Sequence, residues 1–317
     1  MNYQIITDSC CDFPTPMYAD LGLTFVPLSV EFRGETNDDR NDDSLKDMYD
    51  GLRAGEVAKT SAVNPTRWSE AMEPILSAGQ DVLVLAFSSG LSTTYQSAVI
   101  AAEELGEKYP ERAIRVVDTL CASMGQGLLV WYACKKRDEG MSLEELYGWC
   151  MENRLHLCHW FTVDDLMYLK RGGRISAATA LVGTMLQIKP LLHVDDEGHL
   201  ISMTKARGRK AAIDALVRKA QELGAGYDNS TMFISQGDCR EDAAYLAPAE
   251  REVRRKGCDH QLRRRGDRLP RRPRHAGPVL PRFPSIIQRP PTQPSEGVSF
   301  MVPVNQCAAS VQGDLFL

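Results

Sequence analysis
A chain of 317 residues, 43% of them apolar and with a net charge of −5, can bury large cores, and two domains are its default build. No run reaches the roughly 18 apolar residues of a membrane span, and the start lacks the basic-then-apolar pattern of an export signal. Nine cysteines, an odd number with no Cys-x-x-Cys pair, argue against a disulfide framework or zinc site and for reduced cytoplasmic thiols. The charge is uneven: residues 251–317 hold thirteen Lys/Arg and five Asp/Glu, a net of +8, which leaves −13 on the first 250.

In chain order, Tyr3 to Thr7 reads as a short strand, and Asp8-Ser9-Cys10-Cys11-Asp12 is the turn at its end. Pro14 and Pro16 open a short helix. Val26, Leu28, Val30 and Phe32 alternate as edge strands do, and Thr36 to Asp43 is an acidic loop. Ser44 caps a helix over Leu45–Ala54 that Gly55 ends. Lys59 to Pro65 is a hydroxyl-bearing turn, after which Thr66 caps a helix carrying Trp68 and Met72. The continuous apolar run Asp81–Ala86 is a buried parallel strand, and Tyr95–Leu105 is a helix with Ala98, Ala101, Ala102 and Leu105 on one face. Ala113–Val117 is a further parallel strand, followed by a helix that Gly125-Gln126-Gly127 opens. That Gly-x-Gly lacks the third glycine and acidic partner of a dinucleotide fingerprint.

Four strand–turn–helix units before residue 140 make a parallel, doubly wound first domain, 1–150. In the second domain, 151–256, Ser142 caps the entering helix, which runs to about Leu157, and Trp160–Val163 is a strand. Ala177–Leu186 is helical, Asp195-Asp196-Glu197-Gly198 is the turn of a hairpin, Arg209–Leu223 is an amphipathic helix, and Thr231–Ser235 is a strand. The expected fold class is therefore α/β with two α/β domains, a parallel sheet then a mixed one, and irregular chain after about residue 257. Nine of the 17 prolines lie between Pro270 and Pro303, so 257–317 reads as a disordered, basic, proline-rich tail.

The chemistry concentrates between strand and helix at Ser88-Ser89-Gly90-Leu91-Ser92-Thr93-Thr94. In open α/β sheets ligands bind at the carboxyl ends of strands, where helix N-termini offer unpaired N–H groups. Five hydroxyls and a glycine there suit an anionic oxygen held by neutral donors; alternatively they cap the helix and close the turn. Arg171-Gly172-Gly173-Arg174 is a second flexible turn whose guanidinium forks suit phosphate, or else a solvated basic turn. No Ser-His-Asp set can be assigned from spacing among His156, His159 and His193, and Gly-x-x-x-x-Gly-Lys-Ser/Thr is absent.

Asp8-Ser9-x-x-Asp12, Lys59-Thr60-Ser61, Ser88-Ser89-Gly90-Leu91-Ser92-x-Thr94-Tyr95-Gln96 and Arg171-Gly172-Gly173-Arg174-Ile175-Ser176 resemble, in order and spacing, the DegV family of fatty-acid-binding proteins over residues 1–256. The resemblance implies a DegV-like pair of α/β domains that holds a long-chain fatty acid such as palmitate in a tunnel between them. Some members present the carboxylate to a separate fatty acid kinase in phospholipid metabolism. It implies Thr60 and Ser92 as the carboxylate-binding pair, with Ser61, Ser89 and Gly90 beside them, and Arg171 and Arg174 facing the partner or a phosphate. On this reading the protein is cytoplasmic and not an enzyme. It has no catalytic residue, metal or cofactor beyond the bound acid, no nucleic-acid partner, and transient contact with a membrane surface. The alternative is an enzyme for a phosphate ligand, of the dihydroxyacetone-kinase-like type.

Relatives resembling this chain end in a strand, then Gly-Ser-His-x-Gly-Pro-Gly-Thr and an apolar segment, and that His also contacts the carboxylate. Decoding Cys258 to Arg282 one nucleotide late, with GC-rich codons, yields such an ending, with the His encoded across Pro270 and Arg271 rather than at His275. The tail is therefore read as out of frame, and its basic charge as a codon effect rather than a nucleic-acid arm. Sequencing the locus should find one base missing or extra shortly before the Cys258 codon; an intact frame there overturns this reading.

Overall fold
The computed structural model describes residues 2–39, 45–176, 187–223, 231–246 and 297–304. The first unit is built on four parallel strands in the order β2-β1-β6-β7: β1 Tyr3–Asp8, β2 Thr24–Val26, β6 Asp81–Ala86 and β7 Ile114–Asp118. β6 is central and almost wholly buried, as its unbroken apolar run demands. Helices α3 (Pro65–Ser77) and α4 (Thr94–Lys108) cover one face through Trp68, Met72, Ala98 and Ala101. α5 (Met124–Asp138) and α6 (Leu143–Asn153) cover the other through Leu128, Tyr132 and Leu146. α1 is Thr15–Asp20.

Four sequence expectations are corrected here. Thr60 and Ser61 do not lie in a turn: β5 (Ala58–Ser61) pairs antiparallel with β3 (Ser29–Phe32), Val30 opposite Thr60. Within the expected acidic loop, Glu35–Asp38 is strand β4, which completes a small sheet β4-β3-β5 covered by α2 (Leu45–Arg53). Asn64, not Thr66, caps α3, its side chain accepting from the Arg67 N–H with Pro65 in the first turn. Ser142 does cap α6, in a full capping box with Glu145, but the helix ends at Asn153, before Leu157.

The second unit is a mixed sheet in the order β10-β9-β8-β12-β11: β8 Leu157–Thr162, β9 Ile188–Val194, β10 Leu200–Arg207, β11 Ile234–Gly237 and β12 Gly297–Val304. α8 (Arg209–Leu223) packs one face through Ala212, Ile213 and Leu216, and α7 (Leu166–Arg171) packs the other through Leu166 and Leu169. β12 departs from the expected irregular tail. It runs parallel to both neighbours, Val298 opposite Cys158 and Ile234 opposite Phe300. The expected helix at 177–186 and the rest of the tail lie outside the described residues.

α5 fixes the seam between the units. Gly127 passes so close to the turn after β1 that a Cβ there would lie 2.8 Å from the Cys11 carbonyl oxygen and 2.9 Å from the Phe13 ring. On the opposite face, Gly125 leaves room for the His159 ring of β8. An alanine in a helix interior is worth about 1 kcal/mol over glycine, but overpacking against backbone costs about 1–3 kcal/mol. Gly127→Ala is therefore expected to lower the melting temperature; an equal or higher value would show that the contact relaxes freely.

Candidate functional site
The hydroxyl-rich turn leaves the end of β6 and is held from both flanking strands. Asp8, the last residue of β1, accepts from the Phe87 N–H at 2.7 Å, the Cys10 N–H at 3.0 Å and Gln126 Nε2 at 3.1 Å. Asp118, the last residue of β7, accepts from the Ser89 N–H at 3.1 Å and the Leu120 N–H at 3.2 Å. Trp68 of α3 donates its indole N–H to the Thr94 carbonyl at 3.1 Å, which ties the start of α4 to the helix following Thr60.

Ser92 Oγ accepts from the Thr94 N–H at 3.2 Å and shares a 2.9 Å hydrogen bond with Thr94 Oγ1, which closes the turn just before α4, whose cap residue Thr93 makes no side-chain cap hydrogen bond. Thr60 Oγ1 is different: it is buried and has no hydrogen-bond partner. No hydrogen bond therefore joins Thr60 to Ser92, and their elements are linked through Trp68. Ser61 is exposed at the end of β5, while Ser89 and Gly90 are half-buried. The two arginines part company. Arg171 is exposed, its guanidinium 5.1 Å from the Tyr168 ring centroid. Arg174 turns inward, donating from Nε to the Leu91 carbonyl at 3.1 Å and from Nη1 to the Gly172 carbonyl. Burial pulls its pKa down.

Carboxylates crowd the β1 end of the seam. Burial pushes Asp8 up to about 6 against its three donors, and burial with the Asp39 charge pushes Asp12 up to about 7 against a hydrogen bond from Ser123. Burial also raises Asp39, which accepts from Ser9 Oγ at 2.8 Å. Leu120, Arg154, His159, Trp160, His193 and Asp195 are among the residues lining a cavity of about 140 Å³ at the seam. Arg154 Nε, Trp160 Nε1 and both ring nitrogens of the buried His159 have no partner in the protein, so ordered water is their natural complement. Burial holds His159 neutral, its pKa down at about 3. This volume suits water or a small headgroup and falls below the roughly 300–1,000 Å³ of ordinary ligand pockets. Among the described residues no group of His, Cys, Asp and Glu could hold a metal ion, and no helix is long and apolar enough to cross a membrane.

Sequence reasoning missed Asp8, Asp118 and Gln126 as the groups that shape the turn. The signal was available for two of them: each Asp closes a strand of a parallel sheet, where its carboxylate can reach the neighbouring turn.

A parallel doubly wound sheet with a hydroxyl-rich turn at its carboxyl edge, together with a second mixed sheet, defines a mixed α/β class. The model of the DegV family, described as "Uncharacterised protein, DegV family", matches residues 2–266, and the chain belongs to that family. A DegV domain-containing protein of Clostridium perfringens is 44% identical over 252 residues, 79% of this chain and 87% of the relative. A DegV lipid-binding protein from Thermotoga maritima, solved by crystallography, is 30% identical with a TM-score of 0.66 over 80% of this chain and 88% of that one. A fatty-acid-binding DegV family protein from Thermus thermophilus is 28% identical with a TM-score of 0.71 over 99% and 96%.

Asp8 gives a test with a definite sign. Its folded pKa, about 6, lies above the ordinary 3.8, so the folded state binds its proton more tightly. The stability it contributes is full below about 4 and is lost as pH rises through about 6. His159, held neutral, acts in the opposite direction below its ordinary 6.5, so the quantity to follow is the difference from Asp8→Asn. Between pH 7.5 and 5 the unfolding free energy of the wild type should gain about 1 kcal/mol on the variant. A pH-independent difference would mean that Asp8 titrates near its ordinary value.

Proposed function
We propose that the protein binds a long-chain fatty acid at the seam between its two units, with the carboxylate on the hydroxyls of Thr60 and Ser92, with Ser89 and Gly90 beside them and with Ser61 at the edge. The single observation that carries this is Thr60 Oγ1: a hydroxyl buried without a partner is costly unless a ligand supplies one. Lipid binding in the Thermotoga maritima relative and fatty-acid binding in the Thermus thermophilus relative support the ligand class. The anchor is made of neutral donors, while the alkyl tail contributes about 0.8 kcal/mol for each CH2 it buries. The tail therefore dominates affinity, and the hydroxyls set its direction.

Asp8, Asp12 and Asp39 favour a monoanion over a phosphate dianion near this turn, since like charges raise the cost of each added negative charge. That argues against the phosphate-ligand enzyme, for which the Arg171–Arg174 turn is the feature in favour. The finer part of the proposal is that the protein presents the carboxylate to a partner kinase in the cytoplasm. Its support is Arg171, an exposed guanidinium at the end of α7, free of the inward hydrogen bonds that occupy Arg174.

Mass spectrometry of ligand extracted from the purified protein should find a long-chain acid; a nucleotide or phosphorylated metabolite in its place would favour the enzyme reading. Thr60→Val keeps the shape and deletes the unpaired hydroxyl, so the ligand-free melting temperature should hold or rise. Oleate affinity should fall by the worth of one hydrogen bond to a charged group, about 1.5–3 kcal/mol, or tenfold and more. Ser92→Ala should lower both quantities, because its hydroxyl also serves Thr94. Unchanged affinity in both variants would remove the carboxylate from this turn.

A further inference from the structure
Ser88 is fully buried in the hydroxyl-rich turn, yet its hydroxyl is not available to a ligand. It donates to the Gly198 carbonyl at 2.9 Å and accepts from the Gly90 N–H at 3.2 Å. Gly198 belongs to the other unit, at the tip of the β9–β10 hairpin. That tip is braced by its own residues: Asp195 Oδ1 accepts from the Glu197 N–H at 3.0 Å and the His199 N–H at 2.8 Å, and the Asp195 carbonyl from the Gly198 N–H at 3.0 Å.

The fit between tip and turn leaves no room for side chains. A Cβ on Gly90 would lie 2.8 Å from the Glu197 carbonyl oxygen, and one on Gly198 would lie 2.0 Å from Ser88 Oγ and 3.2 Å from Leu120 Cα. Gly198 also has φ +78°, a conformation that any other residue strains to adopt. From the opposite flank Arg174 reaches the Leu91 carbonyl. The second unit thus grips the turn at Ser88, Gly90 and Leu91, the three positions interleaved with Ser89 and Ser92.

We propose that the β9–β10 hairpin tip sets the shape of the 88–92 turn across the seam, with Ser88 as a positioning residue: its hydroxyl, which donates to Gly198 and accepts from the Gly90 N–H, ties the turn to the tip while taking no part in ligand contact. The effect on affinity rests on the fatty-acid reading; the effect on the turn does not. Ligand binding and closure of the two units are then one equilibrium: a turn shaped only when the tip is docked binds best in the closed form.

The test uses the full chain with Ser88→Ala, Gly198→Ala and the double variant. Oleate binding is measured by calorimetry, and amide hydrogen exchange is measured across residues 87–93. Ser88→Ala should weaken oleate about tenfold, one hydrogen bond's worth, and speed exchange at Ser89 and Gly90 several-fold, with β1 and α5 unchanged. Gly198→Ala should do more harm, and adding Ser88→Ala should recover part of it, since the atom struck by the new methyl is gone. If Ser88→Ala lowers the melting temperature but leaves affinity and local exchange unchanged, the contact is merely structural and the proposal is overturned. Ser92→Ala is the control for the underlying reading. If the wild type itself fails to bind oleate, that reading falls, and exchange alone judges the hairpin: unchanged rates at Ser89 and Gly90 overturn its role.

Discussion
A strand that ends at a binding turn has to place several backbone N–H groups where no strand or helix partner exists, and here two carboxylates take them. Asp8 and Asp118 close the strands on either side of β6 and reach inward, to Phe87 and Ser89. Satisfying buried N–H groups with a charged acceptor makes strong hydrogen bonds and fixes the backbone. It also buries a charge, and the raised pKa of Asp8 measures that tension. Gln126 relieves part of it by donating from α5, which in turn requires α5 to sit close. The glycines at 125 and 127 permit that approach. Turn, helix seat and seam therefore follow from one demand, that the end of β6 be held open without being left unpaired.

Features encoded by local periodicity were legible in the sequence. The β6 run, the 3.6-residue pattern over Arg209–Leu223 and the Asp195–Gly198 turn each specify their element within a few residues of themselves. Thr60 was misplaced because β5 is four residues long and pairs only with β3, itself four residues; such a ladder is recognised by its partner rather than by its own composition. β4 was hidden for a related reason, being polar and exposed throughout and held by pairing and by Arg67, which bridges Asp38. The residues named from the family pattern fall in different surroundings, Thr60 and Ser61 on β5 and Ser89, Gly90 and Ser92 in the turn, and this division was not visible in the sequence. That Ser88 faces the hairpin, that Ser92 serves Thr94, and that the Thr60 hydroxyl is buried without a hydrogen-bond partner among the described residues are facts of packing across the chain.

The inward turn of Arg174 shows the same limit. Two arginines flanking two glycines look interchangeable in a sequence, whereas the helix end of α7 sends one to solvent and the other to the Leu91 carbonyl. A buried guanidinium keeps its charge only with acceptors around it, so Arg174 is spent on backbone carbonyls. The exposed Arg171 lies instead over the Tyr168 ring. Position relative to the seam, rather than residue type, decides which of the two faces solvent.

The slot taken by β12 was the least legible feature, and it bears on the seam. β8 and β11 each present an inner edge that a parallel strand must fill, a requirement set by residues well before 257. Gly297–Val304 fills it, and its Pro303 falls beyond Met301, where pairing with β8 has ended and the register with β11 shifts. That is where a residue without an N–H costs the sheet least. Because this strand runs parallel to β8 with Gly297 opposite Leu157, any segment entering the slot arrives two residues from His159, against Gly125 of α5. Closure of the second sheet and the seam are therefore joined through one strand: whatever sequence completes that sheet runs past His159.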